Sequence, residues 1–515
     1  MREIKSEFAT SPSGNPQDAT RAEWKAWTLF AFLFALAAVS RQSLWIDESL
    51  TAVKAMQPDF QAWWASMASQ RASDLQMPGY MFYIWAFVRL VGHSEWALRA
   101  GNIPWFVAGF ACTMRSIPGL RKIPMALVIL FCPFAWYYLD EARPYAMQIG
   151  SSLMIFASLY AFSHQRSGME WPVSRWMCIF LFGVVALSSS SLLGMIWAGS
   201  ALLCALAVLK RDFCFKLLRE NKVVTGVAVI LLTFLAVYYV WTLKVGARAS
   251  DVGRTNLMSI GFLFYELLGF AGLGPARTEM RSGGIQSLLP FAGILIAYGV
   301  VTMDLLILGL RKALRHRGNG VNSLHVGLVL ALPVLFILAA GVVQHFRVLG
   351  RHFAPLLPVL LLLISTGLRA RLTSPKWSYR LATLVYLALS LISCLAFHLA
   401  SRHSKDDYRD AAGYARMSLQ SGYRVWWNAS LEGGLYYGLP LEPQTFKNRA
   451  KITYLMNPSP ATLAGLPVPD LLVQSKPDIF DGGGCVSNYL SSRGFVEIDH
   501  YPAFRIWMRS GGAKK

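Results

Sequence analysis

Charge is what this sequence has least of. Asp, Glu, Lys and Arg make up 15% of its 515 residues, where soluble domains carry roughly a quarter. With 55% hydrophobic residues and a mean hydropathy of +0.41, most of the chain is suited to lipid rather than water. Cysteine is sparse as well. The seven cysteines are scattered, mostly inside apolar runs, and Cys485 stands alone in the polar C-terminal region, so no disulfide framework or zinc site follows. Gly269, Gly272 and Gly274 do not follow a strand and lack the spacing of a dinucleotide fingerprint. His345 and His352 are seven positions apart with no third ligand nearby in sequence, which gives a metal site little footing. Internal repeats are not evident, and transporters often show them.

What the chain does have is long apolar runs. A membrane span needs roughly 20 mainly apolar residues, because every backbone polar group in hydrocarbon must be paired within the helix. The pattern predicts about eleven spans, at roughly 25–41, 97–114, 124–139, 147–163, 175–188, 191–209, 223–243, 285–309, 324–343, 353–368 and 381–399. The first, beginning near Trp24, is read as an uncleaved span rather than a signal peptide. The formal net charge of +21 falls in short clusters between these runs, as the positive-inside rule expects of cytoplasmic turns, and not in a nucleic-acid-binding face. Such turns include Arg115 to Lys122, Lys210 to Lys222, Arg311 to Arg317 and Arg369 to Arg380.

The stretch from Pro78 to Gly92 is short for a span and carries Arg89, so it reads as an interfacial or re-entrant helix. Residues 41–98 then form one external loop with juxtamembrane helices. The expected organisation is a cytoplasmic tail at 1–24, an α-helical polytopic membrane module at 25–400, and a small external α/β domain at 401–515. In that domain a helix is expected at Asp407 to Leu419 and β-like runs at Tyr423 to Trp427, Asp470 to Val473 and Phe504 to Met508.

Four constellations on the outer side could carry chemistry. Asp47-Glu48, after the first span, could supply a general base or simply cap the helix that follows, since acidic residues suit a first turn. Asp140-Glu141-Ala142-Arg143-Pro144-Tyr145 offers a guanidinium fork suited to phosphate oxygens, and equally an ion pair beside an interfacial aromatic. Arg347, Arg351 and His352 could hold a lipid phosphate, or snorkel to ordinary headgroups. The run from Tyr265 and Glu266 through Arg277 and Glu279 to Arg281 could fold over a substrate as a loop, or pack as a short helix. The external segment Lys244 to Arg281, with Arg248 and Arg254, breaks the positive-inside rule by being basic, which calls for an anionic partner. Asn428-Ala429-Ser430 matches a glycosylation acceptor, a pattern common by chance.

The order of these motifs resembles the C-type membrane glycosyltransferase superfamily, nearest to its branch of protein O-mannosyltransferases and aminoarabinose transferases. The matching features are Asp47-Glu48, Pro78-Gly79-Tyr80, Arg99 and Glu141-Ala142-Arg143-Pro144-Tyr145. The resemblance implies an inverting transfer of a sugar from a polyprenyl-phosphate donor to a glycan, lipid or protein acceptor. It places the site and the C-terminal domain on the periplasmic or external side of a bacterial inner membrane. Asp47 would be the general base, with Glu48 orienting the base or acceptor. Arg143, Tyr145 and Arg351, with His352 and Arg347, would meet the donor's phosphate or sugar, and Arg277, Arg281, Glu266 and Tyr80 would be further loop contacts. No cofactor is required, and a divalent metal is admissible without support. Relatives often carry two prolines where this chain has Pro78-Gly79. The rivals are a lipid-linked sugar transporter or flippase and a non-catalytic scaffold of envelope glycan assembly.

Overall fold

A computed structural model describes residues 16–70, 73–163, 171–209, 211–245, 255–315, 323–441 and 451–510. Lys210, Arg248, Arg254, Arg317 and most of the 1–24 tail lie outside the described residues.

The apolar runs form helices. Among the described residues, six are long and apolar enough to cross a membrane: Tyr145–Ser163, Val173–Ser190, Lys222–Val245, Gly284–Arg315, Gly350–Leu372 and Trp377–Leu399. The expected span at 124–139 is instead a bent pair, Lys122–Leu130 and Pro133–Leu139, at 52° to one another, which would make a seventh. Pro133 explains the break: it has no N–H to continue a ladder and suits the first position of a new helix. Pro16–Ala38, Ile103–Ser116, Leu192–Val208 and Ser323–Val343 are helical too. By length and composition alone the count is six or seven, and eleven is not established.

Helices without a hydrophobic force between them associate through small residues. A Cβ on Gly109 would sit 2.6 Å from the Gly150 carbonyl oxygen, so Ile103–Ser116 and Tyr145–Ser163 touch backbone to backbone. Gly309 and Gly367 do the same for Ala292–Arg315 and Leu357–Leu372, where any Cβ would overlap the carbonyls of Leu363 and Leu305. Arg371 adds a fork onto Asp304 across that second pair, with Nε 2.8 Å from Oδ2.

Helix Pro78–Val91 has 14 residues, a rise of about 21 Å against the roughly 30 Å of a hydrocarbon core. It is too short to span alone. Tyr80, Met81, Ile84 and Val88 form its buried face, and at Gly79 a Cβ would collide with Ser189. That contact gives a steric reason for the departure from a second proline.

The C-terminal region forms a five-stranded sheet of β1 (Val425–Asn428), β2 (Ile452–Tyr454), β3 (Leu471–Ser475), β4 (Phe495–Tyr501) and β5 (Phe504–Arg509), in the order β2-β1-β3-β5-β4. β1 is parallel to β2 and β3, and β5 is antiparallel to β3 and β4. The central strands β1 and β3 are buried along their whole length, as parallel strands covered on both faces are. Helix Tyr408–Gln420 covers one face with Tyr408, Ala411, Ala412 and Ala415, and Ile46 packs against the same cluster. The sheet's apolar core thus reaches the residue next to Asp47.

Candidate active site

Helix Ile46–Ala55 carries Asp47 and Glu48 in its first turn, where carboxylates meet the positive end of the helix dipole. Glu48 Oε2 accepts from the Trp45 backbone N–H at 3.4 Å, so Glu48 helps cap the helix, while the N-cap position belongs to Trp45 and not to Asp47. Adjacent helical residues point about 100° apart, and the two carboxylates meet different surroundings.

Glu48 turns inward and is fully buried. Arg99 grips it with both arms, Nε to Oε1 at 2.8 Å and Nη2 to Oε2 at 2.7 Å. The Ala142 N–H donates to Oε1 at 2.9 Å and Lys405 Nζ to Oε2 at 3.2 Å. Burial alone would raise its pKa, but Arg99 and Lys405 outweigh it and hold the carboxyl down at about 2. Arg99 also donates to the carbonyls of Ser40, Gln42 and Ser43, and Asp140 accepts from the Ser40 N–H at 2.6 Å. These bonds fix the chain that leads into the acidic helix.

Asp47 remains a quarter exposed, with Oδ2 3.3 Å from Nη1 of Arg351. The Arg351 guanidinium lies over the Tyr145 ring, 5.4 Å from its centre. Arg143 comes in from the other side, its Nη1 donating to Asp74 Oδ1 at 2.8 Å, Thr51 Oγ1 at 3.2 Å and the Asp47 carbonyl at 3.4 Å. Asp74 also takes a hydrogen bond from Lys54. Burial works against its charge, but Arg143 and Lys54 hold its pKa below the usual carboxylate range.

Arg351 owes its place to a second carboxylate. Glu266 Oε2 accepts from the Gly350 N–H at 2.9 Å, and Oε1 pairs with Arg277 Nη2 at 2.6 Å. A Cβ at position 350 would lie 2.7 Å from Glu266 Oε2, so this turn is built around a glycine. Arg277 also donates to the Tyr138 hydroxyl at 3.2 Å and covers the Tyr137 ring.

The other expected contacts fall as follows. His352 uses Nδ1 to accept from the Leu349 N–H at 3.2 Å, a cap on its own turn. Arg347 lies over Phe262. Tyr80 is fully buried with its hydroxyl unpartnered. Arg281 is on helix Arg277–Gly283, its side chain outside those described. Among the described residues, no group of three or more His, Cys, Asp and Glu comes together that could hold a metal ion.

The fold therefore joins Asp47, Arg143, Tyr145 and Arg351, and holds Glu266 and Arg277 one layer behind. Sequence reasoning gave no role to Asp74, Lys54 or Lys405, none of which stands in a recognisable motif; Lys405 is one charge among several in the run Arg402 to Asp410. It also gave none to Glu141 as an individual residue. Besides the Tyr80 hydroxyl, Nε of Arg143, Nε of Arg351 and both carboxylate oxygens of Glu141 are buried and hydrogen-bonded to nothing. Burial pushes the Glu141 pKa up to about 7 despite the opposing pull of Arg277 and Arg351.

No family model and no curated protein matches the chain by sequence. Its fold matches that of ArnT, an aminoarabinose transferase, from Cupriavidus metallidurans. The apo structure aligns with a TM-score of 0.55 at 12% identity, over 95% of this chain and 98% of that one. The structure of ArnT bound to undecaprenyl phosphate aligns with a TM-score of 0.50 at 12% identity, over 96% and 99%. At this identity the likeness is one of fold alone.

Proposed function

We propose that this chain is an inverting glycosyltransferase that moves a sugar from a polyprenyl-phosphate donor to an acceptor on the outer face of the membrane. The acceptor is a glycan, lipid or protein group carrying a nucleophilic hydroxyl or amine. The observation that carries this reading is the Asp47–Arg351 pair: a carboxylate open to solvent, 3.3 Å from a guanidinium that still has a buried N–H without an acceptor. The full-length fold match to a protein that binds undecaprenyl phosphate supports the donor class.

Asp47 takes the proton of the acceptor, the acceptor attacks the anomeric carbon, and polyprenyl phosphate departs. Charge grows on the leaving phosphate as it grows on no other group, so donors fixed in advance lower the barrier there. Arg143 and Arg351 have that position, and losing one such donor costs about 10²–10³ in rate. A single displacement is favoured because Glu48, with all its hydrogen bonds made internally, orients the helix instead of meeting substrate.

The test is lipid mass spectrometry of purified protein incubated with undecaprenyl-phosphate sugars and candidate acceptors. Wild type should consume donor, and Asp47→Asn should lose about 10²–10⁴ in rate, the usual worth of a positioned base. Equal consumption by both proteins would remove Asp47 from the role. Transfer of labelled lipid across a bilayer without turnover would favour a flippase.

A further inference from the structure

Glu141 lies in the loop between helices Pro133–Leu139 and Tyr145–Ser163, and its backbone is pinned. Its carbonyl accepts from Asn102 Nδ2 and from the Arg143 N–H, each at 2.7 Å. The side chain is 1% exposed and neither oxygen has a hydrogen bond. Charges face it from every side: Asp47 and Glu48 from the acidic helix, Arg351 from the turn at 350, and Arg277 from the loop near 277. The phenols of Tyr80, Tyr137, Tyr138 and Tyr145 complete the surroundings, with Asp140 and Arg143 on its own loop. Both facing cations are already engaged, Arg277 by Glu266 and Arg351 by Asp47.

An ionised carboxylate without water or hydrogen bonds costs several kcal/mol. A neutral carboxylic acid does not, and it has an O–H to donate. Arg351 faces it, and the Nε–H groups of Arg351 and of Arg143, two residues on in the same loop, are buried without an acceptor. Donors that lack an acceptor suit a ligand with several acceptor oxygens and negative charge, which describes a phosphate.

We infer that Glu141 acts as a neutral carboxylic acid that donates a hydrogen bond to the phosphate of the lipid ligand, together with Arg143 and Arg351. This rests on the reading of the chain as polyprenyl-phosphate-dependent. During transfer the acceptor's proton passes to Asp47, the new bond forms at the anomeric carbon, and the old bond to phosphate oxygen breaks. The electron pair leaves with the phosphate, which goes from diester monoanion to monoester dianion. Glu141 keeps its proton throughout and shares it with an oxygen of the group that gains charge. With its pKa raised to about 7 by burial, the carboxyl is partly protonated at neutral pH, and an arriving anion drives it fully to the acid form. Ligand binding therefore takes up a fraction of a proton.

The experiment is calorimetric binding of farnesyl phosphate to the full-length protein in detergent. It is repeated between about pH 5.5 and 8.5 in buffers of different ionisation enthalpy, for wild type and Glu141→Gln. The phosphate's own second ionisation, near pH 6, contributes equally to both. Wild type should take up additional protons that Glu141→Gln does not, while the amide, a permanent neutral donor, binds comparably at neutral pH. Glu141→Ala, lacking the donor, should bind about tenfold or more weakly. Identical proton uptake in wild type and Glu141→Gln overturns the inference and leaves the proposed function standing. No binding by wild type overturns both. Should the amide variant not fold, wild-type uptake decides: protons beyond those the phosphate itself binds support the inference, and none overturns it.

Discussion

Glu48 accepts hydrogen bonds from Arg99, Ala142 and Lys405, so neutralising it leaves two buried cations to share Asp140. Removing one partner of a buried ion pair costs on the order of 3–5 kcal/mol, and Glu48→Gln should lower the melting temperature in detergent accordingly. The same network sets an acid limit. The folded-state pKa of about 2 lies below the ordinary 4.5, so the stabilisation is complete above pH 4.5 and drains away as pH falls toward 2. Melting curves over that window should show the loss in wild type and a flatter profile in Glu48→Gln. Asp47, Glu48 and Arg143 could be singled out in the sequence because they cluster at the ends of apolar runs. Asp74 and Lys405 could not, because each meaning depends on a partner far away in the chain, Arg143 at 69 positions and Glu48 at 357. Glu141 was hidden for another reason: its distinguishing property is the absence of a partner, which only coordinates reveal.

At the level of elements, the touching glycines set how closely the helices approach. Gly150→Leu would push a side chain into the Trp105 backbone, forcing Tyr145–Ser163 away from Ile103–Ser116 and carrying Arg143 and Tyr145 with it. Overpacking typically costs 1–3 kcal/mol, and here transfer activity should fall along with the melting temperature. Gly199→Leu, where a Cβ meets nothing within 4 Å, should change neither, and serves as the control. Apolar runs announce helices plainly, since length and hydrophobicity leave few alternatives in lipid. They do not announce where a run breaks: 124–139 looked continuous, yet it turns by 52° at Pro133. Nor does the sequence mark which glycines touch a neighbour, because helix contacts pair residues from separate runs.

Across the whole molecule, the C-terminal sheet is joined to the acidic helix by more than a linker. Lys405 reaches Glu48, and lies 3.3 Å from Asp140 Oδ2. The Tyr437 hydroxyl accepts from the Leu44 N–H at 2.8 Å, and Arg409 pairs with Glu95 at 2.7 Å. Lys405→Met should therefore loosen the site without unfolding the sheet: amide exchange should rise in residues 40–55 and stay unchanged in β1 and β3, with lower transfer activity. That an α/β region follows residue 400 was legible from its polar composition and short β-like runs. Its seat on the acidic helix was not, since the contacts are single residues with no local pattern.

Because Lys405 lies 357 positions after Glu48, the two are separated in time as well as in sequence. A ribosome adding about 5–20 residues each second makes the acidic helix tens of seconds before the lysine that completes its pocket. A nascent chain already threaded into the bilayer thus carries Asp47 on an unsecured helix. The pocket closes only when synthesis has passed the last apolar run, so the site is finished late and a half-made chain has no ordered place to act on the lipids around it.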